Sequence, residues 1–264
     1  MKDDTIEVLP LVENAKGEHH PGWCVYSDAF DSPEVEVLCG GVNHKTASAA
    51  AVWRQGCLLH FGFDLAPDEM NERARLFLVN CISYASRFTE DRPIIHAPER
   101  ALLRVGADRV VAKAEPDKFY MEWYFTPAVR KQGRADDWPA FKSWYKENRD
   151  YLRSERKERG SLLPDEDAKA FGIPTNKSEF LRTGVAALRE SGERAHLAAK
   201  LLHRYAPDGP QGAEADAWQR WWETNEKYLF FSEAGWYRWY IDPLAKKRGV
   251  PTAELRGEKR ASRQ

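Results

Sequence analysis

A set of residues in the C-terminal half of the chain recurs at a fixed offset of 77 residues, from Trp144 to Trp221. Ten identities share this register without a gap, and they are Trp144 with Trp221, Asn148 with Asn225, Tyr151 with Tyr228, Leu152 with Leu229, Asp165 with Asp242, Ala168 with Ala245, Lys169 with Lys246, Gly172 with Gly249, Pro174 with Pro251 and Thr175 with Thr252. Coincidence is a poor explanation for so many matches in one register. We therefore predict an internal duplication, in which two similar units pack together.

Each half of the repeat contains a helical face and a helix stop. Positions 141, 144, 145, 148, 151 and 152, and their partners, fall on one face of a helix. The motif Asp-x-x-Ala-Lys-x-x-Gly-[Ile/Val]-Pro-Thr is typical of a short helical turn ended by glycine. Residues 179–207 predict two more helices between the halves. Residues 135–256 are thus expected to form an α-helical, repeat-containing region, stacked as in a solenoid.

The N-terminal residues 1–92 have the pattern of an α/β domain. Apolar runs predict strands near 6–12, 23–26 and 35–39, and a hairpin is expected where Gln55-Gly56 joins two further runs. A helix is predicted from about Pro67 to Ala85, with Met70, Ala74, Phe77, Leu78, Cys81, Ile82 and Ala85 on its buried face. Residues 93–134 are taken as a connecting segment with a weak pattern, in which LLRVGADRVVAKAEP is compatible with two short strands and KFYMEWYF suits a strand or a helix. Residues 257–264 are predicted to be a flexible tail.

Composition excludes several classes of function. Forty basic and 41 acidic residues nearly cancel, so no global field favours nucleic acid or an anionic membrane. No apolar stretch reaches the roughly 20 residues that span a bilayer. The four cysteines lack zinc-site spacing and are expected to be mostly buried thiols, although Cys24 and Cys39 could pair in an exported protein. With no signal-peptide pattern, a soluble cytoplasmic protein without a cofactor is expected, and a trimmed exported protein is the alternative.

The aromatic stripe has two interpretations. Large rings at helical spacing usually form core. The alternative is a platform on which a sugar stacks, and the segment FFSEAGWYRWYID is the best candidate for it, since its rings cannot all face one side of a strand. The candidate ligand-binding residues there are Trp236, Tyr237, Trp239 and Tyr240. Asn148 and Asn225 are expected to be buried amides bonded to a neighbouring helix rather than ligand contacts.

The stretch KTASAAAVWRQGCLLHFGFDLAPDEMNERARLFLVNCISYASRF, within about residues 22–88, resembles the end of the trehalose-utilisation (ThuA-like) branch of the glutamine-amidotransferase-like superfamily. The resemblance implies part of a flavodoxin-like parallel sheet. It also implies an open sheet edge that favours a homo-oligomer. Class I amidotransferases carry His-Pro-Glu at the end of the strand that CLLHFGFD matches, whereas this chain has Gly62, Phe63 and Asp64. Amidotransferase chemistry is therefore not expected.

His60 and Asp64 are the candidate catalytic residues. They flank the predicted C-terminal end of a strand, where ligands gather in open α/β sheets. A metal site that combines them with His19, His20, His44, Asp28 and Asp31 is less favoured than solvated loops, and no metal is predicted. Because His60 alternates with Leu59 and Phe61, a structural histidine remains the other interpretation.

The leading functional expectation is a non-catalytic binding or scaffold module. Its partner is expected to be a carbohydrate, by analogy with the resembled family alone, or a protein. The alternative is a hydrolase or lyase that acts on a sugar-like or ester substrate near His60 and Asp64.

Overall fold

The structure is a computed structural model that describes residues 24–26, 35–43, 46–89, 91, 93–94, 103–158 and 160–253. Its described residues form two compact units, which divide after Ile94. Both helices and antiparallel strands are present, so the predicted mixed α/β class is confirmed.

Unit 1 contains a small sheet and one long helix. Its elements are β1 (Val25–Tyr26), β2 (Val35–Asn43), β3 (Thr46–Gln55), β4 (Leu58–Phe61) and α1 (Glu72–Ala85). Strand β3 is central: β2 pairs with one side of it, and β1 and β4 pair with the other side. The predicted hairpin is confirmed, because Gln55 pairs with Leu58 across a turn in which Gly56 has a φ of +55°.

The flavodoxin-like parallel sheet is not confirmed, since every strand pair described in unit 1 is antiparallel. The physical reason lies in the short connections. Two or three residues can reverse the chain into a hairpin, whereas a parallel pair needs a crossover of about a dozen residues or more. The pairing of β2 with β3 also shifts its register three times between Val37 and Asn43. Such bulges are a usual way to protect a sheet edge from pairing with another chain.

Helix α1 begins at the Asn71 cap, whose side chain accepts a hydrogen bond from the Ala74 N–H at 2.9 Å. Ala74 and Cys81 are buried, but Ile82 is 61% exposed, so its predicted burial is wrong. One residue turns a helix by about 100°, and Ile82 therefore lies outside the stripe that contains Cys81.

The four cysteines of unit 1 are not joined in disulfides; Cys81 is buried and the other three are half-buried. Burial raises the pKa of the Cys39 thiol, and the neighbouring Cys24 raises it further.

Unit 2 has short helices, of six to thirteen residues, and two hairpins around a main core, with a small second cluster at Tyr228 and Ala245. Its elements are α2 (Arg104–Val111), α3 (Lys118–Tyr124), α4 (Pro127–Gln132), α5 (Trp138–Asn148), β5 (Leu152–Ser154), β6 (Leu162–Pro164), α6 (Glu166–Phe171), α7 (Ser178–Ala187), α8 (Glu193–Tyr205), α9 (Ala215–Asn225), β7 (Leu229–Ser232), β8 (Arg238–Ile241) and α10 (Pro243–Arg248). The sequence predicted an α-helical region over residues 135–256. The two hairpins correct that prediction, since they place strands between the helices.

The aromatic stripe of α5 and α9 packs in the core of unit 2. Phe141, Tyr145, Trp218 and Trp222 are buried there, as the packing interpretation predicts. Residues 103–134 belong to the same core and are not a connecting segment: they contribute Ala107, Val110, Met121, Phe125 and Val129. The two strands considered near 102–116 are not present, because Ala107, Val110 and Val111 have helical spacing and form the buried face of α2.

Elements of unit 2 correspond at the offset of 77 residues. We call residues 103–175 the first segment and residues 180–252 the second segment. Helices α5 and α9 begin and end at corresponding residues, as do α6 and α10. The hairpin registers also correspond, with Leu152 opposite Pro164 and Leu229 opposite Ile241. At the same offset α2 overlaps α7, and α3 falls within α8.

The ends of α6 and α10 use the same devices. Asp165 and Asp242 cap the two helices by accepting backbone N–H groups. Gly172 and Gly249 end them with left-handed φ values of +82° and +68°, which glycine adopts without a steric penalty.

Candidate binding site on helix α3

The four predicted ligand-binding aromatics do not form an exposed platform. Tyr237 and Trp239 are buried in the core, and Trp236 and Tyr240 are half-buried. The Trp239 indole donates a hydrogen bond to the Thr175 carbonyl at 2.7 Å, and the Tyr240 hydroxyl donates one to the Gly235 carbonyl at 2.6 Å. These contacts fix the rings within the fold, which is the role that packing residues have.

Asn148 and Asn225 are buried amides as predicted; both bond within their own helices, and Asn225 also has the predicted bond to a neighbouring helix. Each donates to the carbonyl four residues earlier, that of Trp144 at 2.8 Å and that of Trp221 at 2.7 Å. Lys246 of α10 also donates to Asn225 Oδ1 at 2.8 Å.

His60 lies on β4 and Asp64 lies in the exposed loop that follows it. The imidazole stacks on the Trp53 indole, with ring centroids 5.6 Å apart. His19, His20, His44, Asp28 and Asp31 lie outside the described residues. Among the residues that the structure describes, no three His, Cys, Asp or Glu side chains are grouped as metal ligands would be. Catalysis at His60 and Asp64 stays a prediction.

Exposed aromatic rings occur instead on α3. Phe119 is 65% exposed, Trp123 is 47% exposed and Tyr120 is 41% exposed. The Phe119 and Trp123 centroids are 6.0 Å apart with ring planes inclined by 21°, and Tyr120 meets Phe119 edge-on at 5.3 Å. We call these three residues the α3 aromatic patch. Exposed aromatic rings that are grouped together often mark a binding surface.

The local sequence explains why the patch faces outward. Asp117 caps α3 by accepting the Tyr120 N–H at 3.3 Å, and the helix ends at Phe125, whose backbone is extended. Met121 and Phe125 are buried, so the opposite face of this seven-residue helix is exposed. Phe125 packs edge-on against Phe141 with centroids 5.2 Å apart, which attaches α3 to the core.

Helix α3 is also held against α2 by a close contact at Gly106. A Cβ placed on Gly106 would lie 2.4 Å from the Tyr124 hydroxyl, so only glycine allows this approach. Tyr124 follows Trp123 directly, and the α2 contact therefore fixes the backbone beneath the patch.

Balanced charges surround the patch. Lys113 Nζ lies 3.2 Å from Asp117 Oδ2 and 4.5 Å from the centre of the Tyr120 ring. Arg130 and Glu122 are 3.6 Å apart. The hydrogen bond from the Tyr120 N–H, followed by that from Lys113, lowers the pKa of Asp117 and keeps it ionised. The patch thus carries little net charge, which suits a neutral or apolar ligand surface.

A buried carboxylate joins α6 to α8. Asp165 accepts hydrogen bonds from Arg204 and from the Tyr205 hydroxyl, each at 2.7 Å, and from Arg153 at 2.9 Å. Burial alone would raise the pKa of Asp165, but the bonds from Tyr205, Ala168 N–H and Arg204 outweigh it and the pKa is lowered. Asp167 lies 2.7 Å from both Lys200 and Arg204. We call these contacts the α6–α8 interface.

A second ionic cluster surrounds the fully buried Arg104. Its guanidinium donates to the Leu152 carbonyl at 2.7 Å, lies 3.5 Å from Glu233 and lies 4.7 Å from the centre of the Tyr237 ring. Glu233 also accepts the Arg104 backbone N–H at 2.7 Å. The cluster joins α2 to both hairpins.

Asp108 extends this cluster towards solvent. Arg149 donates to both of its carboxylate oxygens at 2.7 Å, and the Tyr145 hydroxyl donates to one of them at 2.9 Å. Burial and the adjacent Asp108 raise the pKa of Tyr145 well above its usual range. The Tyr145 hydroxyl and the Arg149 guanidinium thus both donate to Asp108, an arrangement that stabilises the packing of α2 on the segment that ends α5.

Sequence reasoning did not identify the patch or the Arg104 cluster. The patch had a local signal, because rings at 119, 120 and 123 lie on one side of a helix. The cluster had none, since Arg104 and Glu233 are 129 residues apart.

Among the described residues, no helix is long and apolar enough to cross a membrane. Comparison of the chain with protein-family models, with curated proteins and with solved structures finds no match.

Proposed function

We propose that this chain is a non-catalytic binding module and that the α3 aromatic patch is its binding surface. The observation that supports the proposal is the exposure of Phe119, Tyr120 and Trp123 together on one short, well-anchored helix. Removing apolar surface from water is favourable by about 25 cal/mol per Å², so a partner that covers the exposed parts of all three rings would be stabilised by this burial.

The proposal includes a duplicated architecture for unit 2. Matched helix ends, matched hairpin registers and matched cap residues at one offset support it. Modules built from stacked units usually bind macromolecules along the surface that stacking leaves open. The patch lies in the first segment, on α3, and is such a surface.

The experiment measures binding of the purified full chain to two kinds of probe. One is an array of neutral and acidic glycans, and the other is the chain itself immobilised on a biosensor. Trp123→Ser removes the largest ring of the patch, and Val79→Ser is the control because Val79 is an exposed apolar residue of α1 outside the patch. We expect binding to at least one probe, weakened about tenfold or more by Trp123→Ser and unchanged by Val79→Ser.

Circular dichroism and the unfolding midpoint must show that both variants fold as the parent does. Binding that survives Trp123→Ser would place the binding surface elsewhere. Absence of binding to either probe would contradict the proposal for these two ligand classes.

A further inference from the structure

The α6–α8 interface shows how one segment of unit 2 docks on the next. Lys200 and Arg204 of α8 pair with Asp167, and Arg204 and Tyr205 also bind Asp165. Arg194, near the start of α8, lies over the Phe171 ring at 5.5 Å. Helix α8 belongs to the second segment and α6 to the first.

The offset of 77 residues maps this interface onto two open faces. The α8 positions Leu197 and Lys200 correspond to Tyr120 and Trp123 of α3. Lys200 contacts α6, and Leu197 packs against the core. The α3 aromatic patch therefore lies on the face of the first segment that corresponds to the face by which the second segment contacts α6. Within the described residues, no earlier segment covers that face, and its rings are exposed.

The partner face is carried by α10, which corresponds to α6. Asp167 corresponds to Leu244, and Phe171 corresponds to Arg248. Leu244 is half-buried and Arg248 is exposed. The positions that correspond to Arg204 and Tyr205 are Pro127 and Ala128, so their bonds to Asp165 have no counterpart, and Asp242 instead accepts the Leu244 and Ala245 N–H groups, each at 3.0 Å.

The substitutions on the two open faces are complementary. Where Lys200 meets Asp167 inside the chain, α3 offers Trp123 and α10 offers Leu244, an apolar pair in place of an ion pair. Within the chain, Arg194 lies over the Phe171 ring. The corresponding positions are Asp117, just before α3, and Arg248, at the end of α10, so an ion pair would replace the cation–π contact. Both partners change together at each of these two contacts, so each remains favourable.

We infer that the α10 face of one chain docks on the α3 aromatic patch of a second copy, in the arrangement that the Lys200–Asp167 and Arg194–Phe171 contacts have within one chain. This inference rests on the proposed function and names the partner of the same surface. The contact is head-to-tail, with a different face on each molecule. Such contacts leave one unused face at each end, so they extend into rings or filaments unless an end is blocked.

The test is sedimentation velocity of the full chain over a concentration series up to about 100 µM, a range that detects weak self-association. We expect the wild-type chain to form species larger than a dimer. Trp123→Glu and Leu244→Glu each place a charge in the apolar contact and should each reduce association about tenfold or more. Val79→Glu is the control for a charge on an unrelated apolar surface, and it should associate as the wild type does.

The decisive sample mixes the Trp123→Glu and Leu244→Glu variants in equal amounts. Each retains one intact face, so a head-to-tail contact predicts a dimer of one of each that grows no further. A symmetric contact between two α3 patches predicts no such dimer, and that outcome would overturn the inference. A wild-type chain that stays monomeric would also overturn it, whereas glycan binding lost in Trp123→Ser would then still support the proposed function.

Discussion

Gly160 and Tyr237 occupy corresponding positions in the two hairpin loops of unit 2, and both have left-handed backbone conformations, with φ values of +82° and +59°. A left-handed conformation costs a bulky residue about 1–3 kcal/mol, a cost that Gly160 avoids. The Tyr237 ring compensates, because it is fully buried and lies against the guanidinium of Arg104.

This relationship predicts an unusual order of stability among Tyr237 variants. Both Tyr237→Gly and Tyr237→Ala lose the buried ring, at a cost of about 3–5 kcal/mol. Glycine adopts the left-handed conformation without the backbone strain of about 1 kcal/mol that alanine retains. The glycine variant should therefore be the more stable of the two. Urea unfolding measures the difference, and an alanine variant equal to or more stable than the glycine variant would contradict it.

Substitution at Gly106 should loosen the α2–α3 contact. The added methyl of Gly106→Ala would meet the Tyr124 ring, so either the ring or the helix must move, at a cost of about 1–3 kcal/mol. Gly212→Ala is the matched control, because a Cβ there meets nothing within 4 Å. Thermal unfolding of both variants measures the contrast, and equal midpoints would show that Tyr124 moves aside without cost.

Trp239 and Trp123 should respond in opposite ways to truncation. Trp239→Ala leaves a cavity in the core and removes the bond to Thr175, so we expect a loss of about 3–5 kcal/mol. Trp123→Ala changes an exposed ring and should alter the free energy of unfolding by about 0.5 kcal/mol or less. Equilibrium denaturation followed by far-UV circular dichroism provides both values. Similar losses would mean that the patch is part of the core.

Acid should remove the stabilisation that Asp165 provides. Its pKa is lowered in the folded chain, so the folded state favours the ionised carboxylate. The contribution is fully present above the unfolded pKa, about 3.9, and is lost as the pH falls through the lower folded pKa. The stability difference between the wild type and Asp165→Asn should therefore be large at neutral pH and shrink below about pH 4. Urea unfolding at a series of pH values tests this, and a constant difference would exclude the ionised form as the cause.

The parts of the fold that were predictable are those with local periodicity. The spacing of Phe141, Tyr145 and Asn148 predicted a helix, and α5 contains all three. Gln55 and Gly56 predicted the turn between β3 and β4. Such features depend on neighbours in sequence, which a single chain displays directly.

The rest depended on contacts between distant residues. The sequence around Trp239 predicted a ligand-binding ring. It could not show that the indole donates a hydrogen bond to the carbonyl of Thr175, 64 residues earlier. Conversely, helical spacing in KFYMEWYF separates Met121 from Trp123, but it does not show that Met121 is the buried one and Trp123 the exposed one. Both outcomes are decided by which helix packs on which side, and that information is not local.

The fixed ends of α6 and α10 limit the insertions and deletions that this part of the chain can accept. Each helix is held between an aspartate cap and a left-handed glycine, so its length is fixed at six residues. A single residue added within Glu166–Phe171 would rotate everything that follows by about 100°, and Ala168 and Gly172 could no longer both keep their places. Changes in length should therefore be tolerated in the loop between β5 and β6 long before they are tolerated in either of these short helices.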